Sequence, residues 1–198
     1  MLGGPLMTNL CLASASPRRK ELLQQLNLDF TVCPSNINED KFYQLPIEKR
    51  AVELAKAKAN DVANKQSEGL VIGADTMVVF GNRILEKPRS ETDAKEMLST
   101  LSGNKHKVIT GVALVNASDK IILTDRGITD VWFRNVKAFE IENYIATGEP
   151  MDKAGAYGIQ GYGSLFVDKI YGCYYNVVGL PLSVLAKMLE AFGVQVLK

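Results

Sequence analysis

Short apolar runs and stretches of helical periodicity alternate along the whole of this chain, and few architectures accept that order. Strands separated by helices belong to the α/β class, in which a sheet is covered by the helices that connect its strands. Residues 10–13 (LCLA) read as a short strand. Ser16-Pro17 follows with a helix-start signature, Ser at the N-cap and Pro at the first helical position. Leu22, Leu23 and Leu26 give that helix an apolar face. Residues 30–33 form the next strand. Residues 47–66 form a long helix with Ala51, Leu54, Ala55 and Val62 on one stripe. Residues 70–72 and 77–80 are strand-like on either side of Gly73-Ala74-Asp75-Thr76. Gly81-Asn82 turns a hairpin into residues 84–86. Residues 91–101 are helical, with Gly103 as the stop. Strands at 107–115, 120–123 and 128–136, a helix at 139–146 ended by Gly148, a strand at 164–167 and a closing helix at 182–192 complete the pattern.

The 198 residues are ample for one core or two joined lobes. Lys and Arg number 23 against 22 Asp and Glu, a formal net charge of +1, which argues against capture of nucleic acid or an anionic membrane by overall charge. No run approaches the roughly 18 apolar residues of a spanning helix. The first residues, MLGGPLM, carry no Lys or Arg and do not read as a signal peptide. Residues 1–8 are expected to be an N-terminal extension, with Met7 an equally good start. Three cysteines far apart in sequence, with no CxxC, fit neither a disulfide scaffold nor a structural zinc site and point to a cytoplasmic protein.

Four segments carry candidate chemistry. Ser14-Ala15-Ser16-Pro17-Arg18-Arg19 joins a strand to a helix. Its first turn holds two arginines where the helix dipole prefers acids, and an anion such as phosphate would resolve that conflict. A solvated first turn with two surface arginines explains the residues equally well. Asp75 stands among small residues after an apolar run, suited to hold Mg²⁺ or to take a proton from water, although a turn aspartate is the commoner explanation. Lys87, in Leu85-Glu86-Lys87-Pro88, ends a strand and is either a second phosphate ligand or an exposed charge. Gln160 sits in a glycine-rich stretch, residues 152–163, where its amide could read a base edge or where the loop is simply tight. Lys58 falls on the inner stripe of the long helix, where a lysine either snorkels outward or meets an anion. Neither GxGxxG nor a Walker P-loop is present. His106, the single histidine, reads as structural, and Trp132 and Phe133 as core.

LASASPRRKELL, GADTMVV, LEKP, LSGNKHKVITGVAL and GEPMDKAGAYGIQGYGSLFV followed by YYNVVGLPL, in this order, resemble the Maf family of nucleoside triphosphate pyrophosphatases from about Leu10 to the end. The resemblance implies an elongated mixed-sheet α/β fold, similar to inosine triphosphate pyrophosphatases, with a cleft between two lobes of a single domain at 9–198. It implies hydrolysis of a nucleoside triphosphate between the α and β phosphates, a divalent cation (Mg²⁺ or Mn²⁺) and a homodimer; the near-neutral charge balance sets aside nucleic acid and membrane as partners. By the same resemblance Ser14, Arg18 and Arg19 contact the nucleotide phosphates, Glu39 and Asp75 hold the metal, Asp75 is the base, and Lys58 and Lys87 complete the catalytic set. Arg18, Thr76 and Gln160 match the sub-type acting on dTTP and UTP. The alternatives are the sister sub-type acting on 7-methyl-GTP and a non-catalytic regulator of cell division.

Overall fold

β1 (Leu10–Leu12) is buried at every residue and lies between two parallel neighbours. Apolar side chains on both faces suit a central strand of a parallel sheet. On one side it pairs with β2 (Phe30–Val32), Cys11 opposite Thr31. On the other it pairs with β3 (Leu70–Phe80), Cys11 opposite Val71. The computed structural model describes residues 9–197, so the expected extension at 1–8 lies outside the described residues.

Continuing along the chain, α1 (Pro17–Gln25) precedes β2, α2 (Ile47–Ala63) precedes β3, and β4 (Arg83–Leu85) folds back on β3 antiparallel. Then come α3 (Glu91–Leu101), β5 (Lys105–Asn116), β6 (Ile122–Phe133), α4 (Ala138–Ala146), β7 (Val167–Tyr171), α5 (Tyr174–Val178) and α6 (Leu182–Ala191). The strands form one seven-stranded mixed sheet in the order β2-β1-β3-β5-β6-β7, with β4 attached to β3. The α/β class expected from the sequence is therefore present.

The chain divides into two compact units. One gathers the residues up to Asp75 with Gly111–Arg126 and the segment from Leu182 onward; the other gathers Thr76–Thr110 and Gly127–Pro181. In the first, Cys11, Ala55, Ala59, Val62, Val71, Ala113 and Val115 pack a small-residue core between α2 and the strands. Close approach is possible because Gly73 and Gly111 lie beneath the helix. A Cβ at Gly73 would sit 2.1 Å from the Ala55 carbonyl oxygen, and one at Gly111 would sit 2.3 Å from that of Ala51. In the second unit Val78, Leu98, Leu101, Val131, Phe133, Tyr144, Tyr157 and Phe166 form the core.

His106 is part of that second core. It is 2% exposed, packs edge-on against Phe133 and Tyr157, and shares a 2.7 Å hydrogen bond between Nε2 and the Tyr157 hydroxyl. Burial pushes its pKa from 6.5 down to about 4, with the Asp130 carboxylate acting in the opposite direction. The folded state thus refuses a proton that the unfolded chain accepts below pH 6.5. The stability this contributes is complete above that value and is lost as the pH falls toward 4. Denaturant titrations should show a loss of roughly 3 kcal/mol between pH 7 and pH 4 attributable to this group. His106→Gln should flatten that part of the profile; an unchanged slope in the variant would refute the assignment.

Several sequence expectations are corrected. Residues 70–72 and 77–80 are one continuous strand, so Asp75 lies inside β3 rather than in a turn. Gly73 and Ala74 are strand-breaking by type, but here their small size lets α2 cover the strand. The expected strands at 120–123 and 128–136 are the single strand β6. Residues 161–166 form a 3₁₀ turn rather than a strand, with the strand following at β7. Trp132 is only partly buried, and Lys169 and Lys105 lie over its ring at 4.9 and 5.5 Å. The short helix α5 was not anticipated. No helix among the described residues is long and apolar enough to cross a membrane.

Candidate active site

The strand-to-helix junction after β1 is built by two serines. Ser16 caps α1, accepting a hydrogen bond from the Arg19 N–H at 3.5 Å. Ser14, buried, accepts from the Ser16 N–H at 3.2 Å and from Arg19 Nη1 at 3.0 Å. Ala13 is tied to β3 through its N–H on the Ile72 carbonyl at 2.8 Å. The junction is thus held from both sides, and the first turn of α1 carries Arg18 and Arg19 with no acidic residue. Burial lowers the pKa of the Arg19 guanidinium, and the Asp75 carboxylate is the largest influence opposing that. Arg19 therefore lies within the field of Asp75.

Lys58 projects from the inner stripe of α2, as its spacing indicated. Its Nζ is 2.7 Å from Asp75 Oδ1 and 2.8 Å from Glu39 Oε1. Glu39 reaches it from a 3₁₀ turn, Glu39–Phe42, whose Asn38 cap accepts from the Asp40 N–H at 2.8 Å. The Lys58 and Asp75 side chains are 13% and 12% exposed, that of Glu39 51%. Burial raises the Asp75 carboxyl above its ordinary value, and the neighbouring ammonium works against this. The structure therefore brings Ser14, Arg19, Glu39, Lys58 and Asp75 into one group of interacting side chains, of which helical periodicity had indicated Lys58.

Among the described residues no group of three or more His, Cys, Asp and Glu side chains is placed to hold a metal. Glu39 and Asp75 nevertheless each place a carboxylate oxygen on the same Lys58 Nζ, at 2.8 and 2.7 Å. Hard oxygen donors in that number suit Mg²⁺ or Mn²⁺, which ordinarily take one or two carboxylates and complete their shell with water and substrate phosphate.

The remaining candidates lie in the second unit. Thr76 Oγ1 is 3.0 Å from Thr110 Oγ1, which donates to the Asn176 carbonyl at 2.8 Å. Lys87 is exposed beside Ile84, Glu86, Arg89, Ser90, Asp93 and Met97, which line a surface cavity. Gln160 precedes the 3₁₀ turn Gly161–Phe166. Sequence reasoning missed Asn176, fully buried, whose amide donates to the Val108 carbonyl and to Thr129 Oγ1, both at 3.0 Å. An asparagine inside YYNVVG was the available signal, since a buried amide requires partners. It also missed Glu149, whose carboxylate accepts from the Tyr162 and Gly163 N–H groups.

The model of the family described as Maf-like protein matches residues 9–192. This chain belongs to the Maf family. Its Maf relatives are similar over nearly their whole length. A dTTP/UTP pyrophosphatase of Clostridium perfringens (strain SM101) is 48% identical over 188 residues, covering 94% of this chain and 98% of that one. One from Clostridium botulinum (strain Kyoto) is 48% identical over 192 residues, covering 95% and 99%. One from Desulforamulus reducens is 46% identical over 190 residues, covering 96% and 100%. Among solved structures, a HAM1 protein from Coxiella burnetii aligns with 93% of this Maf chain and 99% of its own, at 17% identity and a TM-score of 0.49.

Proposed function

We propose that this chain is a nucleoside triphosphate pyrophosphatase that hydrolyses dTTP and UTP to the monophosphate and pyrophosphate. The observation that carries the reading is the convergence of Asp75 and Glu39 on Lys58, with Arg19 in the field of Asp75. Family membership and the names of relatives 46 to 48% identical support the substrate class.

Asp75 is the base. A carboxylate made more basic by burial is a better acceptor for the proton of an attacking water at neutral pH. Lys58 keeps that carboxylate ionised in a buried setting by lying 2.7 Å from it. Arg18 and Arg19, in the first turn of α1, receive phosphate oxygens and stabilise the charge that develops on them. Ser14 holds the Arg19 guanidinium in place for that contact. Lys87 is a further phosphate ligand, and Thr76 and Gln160 select the base. Glu39 and Asp75 would hold the divalent cation, which supplies charge neutralisation and polarises water and phosphate when bound. The same reading takes the enzyme as a single domain over 9–198, cytoplasmic in keeping with three unpaired cysteines, and homodimeric.

The test is a panel of dTTP, UTP, CTP, GTP and 7-methyl-GTP with Mg²⁺, the products separated chromatographically. Monophosphate and pyrophosphate from dTTP and UTP are expected, with release abolished by a chelator. Nucleoside diphosphate and orthophosphate would refute the reaction. Turnover of 7-methyl-GTP without that of dTTP or UTP would refute the substrate assignment.

A further inference from the structure

The loop that carries Gln160 is held by a carboxylate that sequence motifs did not single out. Residues 161–166 form a 3₁₀ turn whose N-cap is Gln160, yet the Gln160 side chain makes no capping hydrogen bond. The first N–H groups of such a turn need acceptors. Glu149 supplies them. Its Oε2 accepts from the Tyr162 N–H at 3.0 Å, and its Oε1 from the Gly163 N–H at 3.1 Å. Oε1 also accepts from the Tyr144 hydroxyl at 2.9 Å, and that hydroxyl in turn accepts from the Gly158 N–H at 3.4 Å. The chain is therefore fixed at Gly158 on one side of Gln160 and at Tyr162 and Gly163 on the other.

The surroundings are shaped for this contact. Gly161 has φ +68°, and a Cβ there would lie 2.6 Å from Glu149 Oε2, so a side chain would displace the carboxylate. Lys153 Nζ donates to the Glu149 carbonyl at 2.6 Å, which ties the backbone of Glu149 to the same loop. Tyr144 is 3% exposed, and burial followed by its bond to Glu149 raises its pKa, so it remains a donor.

We infer that Glu149 is a positioning residue for base selection: it caps the 161–166 turn in place of Gln160 and so leaves the Gln160 amide available to a pyrimidine. This rests on the activity proposed above. An amide that must cap its own turn cannot present its donor and acceptor to a base edge; one relieved of that task can.

The experiment compares kcat and KM for dTTP and dCTP in the wild type, Glu149→Ala, Glu149→Gln, Gln160→Ala and the Glu149→Ala/Gln160→Ala double variant. Amide exchange at Tyr162 and Gly163 is followed alongside. Glu149→Ala is expected to raise the KM for dTTP and to reduce the dTTP preference by about tenfold or more, close to Gln160→Ala, with kcat nearly kept and the double variant no worse. Glu149→Gln, with one acceptor oxygen for three donors, should fall between, and both amides should exchange faster in Glu149→Ala. A preference unchanged in both Glu149 variants while Gln160→Ala loses it would overturn the inference. A wild type that hydrolyses no triphosphate would refute the activity instead. The clamp is then judged by exchange alone: faster in Glu149→Ala supports it, equal rates overturn it.

Discussion

Asp75→Asn is expected to lower pyrophosphate release from dTTP by about a thousandfold, within the range of about 10² to 10⁴ that removal of a general base produces. The amide keeps the shape of the side chain but accepts no proton at neutral pH. It is also a weaker ligand for a hard cation, so two functions end in one substitution. The fold should survive. Lys58 retains Glu39 at 2.8 Å, and an amide costs less to bury than the carboxylate it replaces. A melting temperature within a few degrees of wild type, measured on the same preparation, separates lost chemistry from lost structure. Release within tenfold of wild type would remove Asp75 from the role of base.

Gly73→Ala should have the largest effect on stability. The added methyl would sit 2.1 Å from the Ala55 carbonyl oxygen and 2.9 Å from the Ala59 N and Cβ, so helix backbone must retreat. Backbone cannot swing aside as a flexible side chain can. Overpacking of this kind costs about 1–3 kcal/mol and more when backbone is the obstacle, which for a chain of this size lowers the melting temperature by about 10 °C. Activity should fall further than stability, because the displaced helix carries Lys58 and the obstructed strand carries Asp75 two residues on. Gly81→Ala is the comparison. Nothing lies within 4 Å of its Cβ, and the cost there comes only from φ +58°, about 1–2 kcal/mol. If Gly73→Ala melts no lower than Gly81→Ala, the packing account of α2 is wrong.

The elements that were legible were those whose own side chains specify them. Ser16-Pro17 marked the start of α1, and the stripe of Ala51, Leu54, Ala55 and Val62 marked the buried face of α2. Lys58 could be placed on that face because helical spacing is local. β3 was misread because Gly73 and Ala74 are poor strand formers in isolation, and their value lies in what passes over them. The turn at 161–166 was misread for a related reason: its cap, Glu149, stands twelve residues before Gly161 and is invisible to local rules.

Sequence alone indicated the α/β class through the alternation of apolar runs with helical periodicity, and the family through five motifs whose order resembles it, because both are local patterns of side chains. What only the tertiary structure decided is the state of the charges. That Asp75 and Glu39 share one ammonium depends on a strand, a 3₁₀ turn and a helix meeting at distances below 3 Å, and Coulomb interactions follow distance and burial rather than position along the chain.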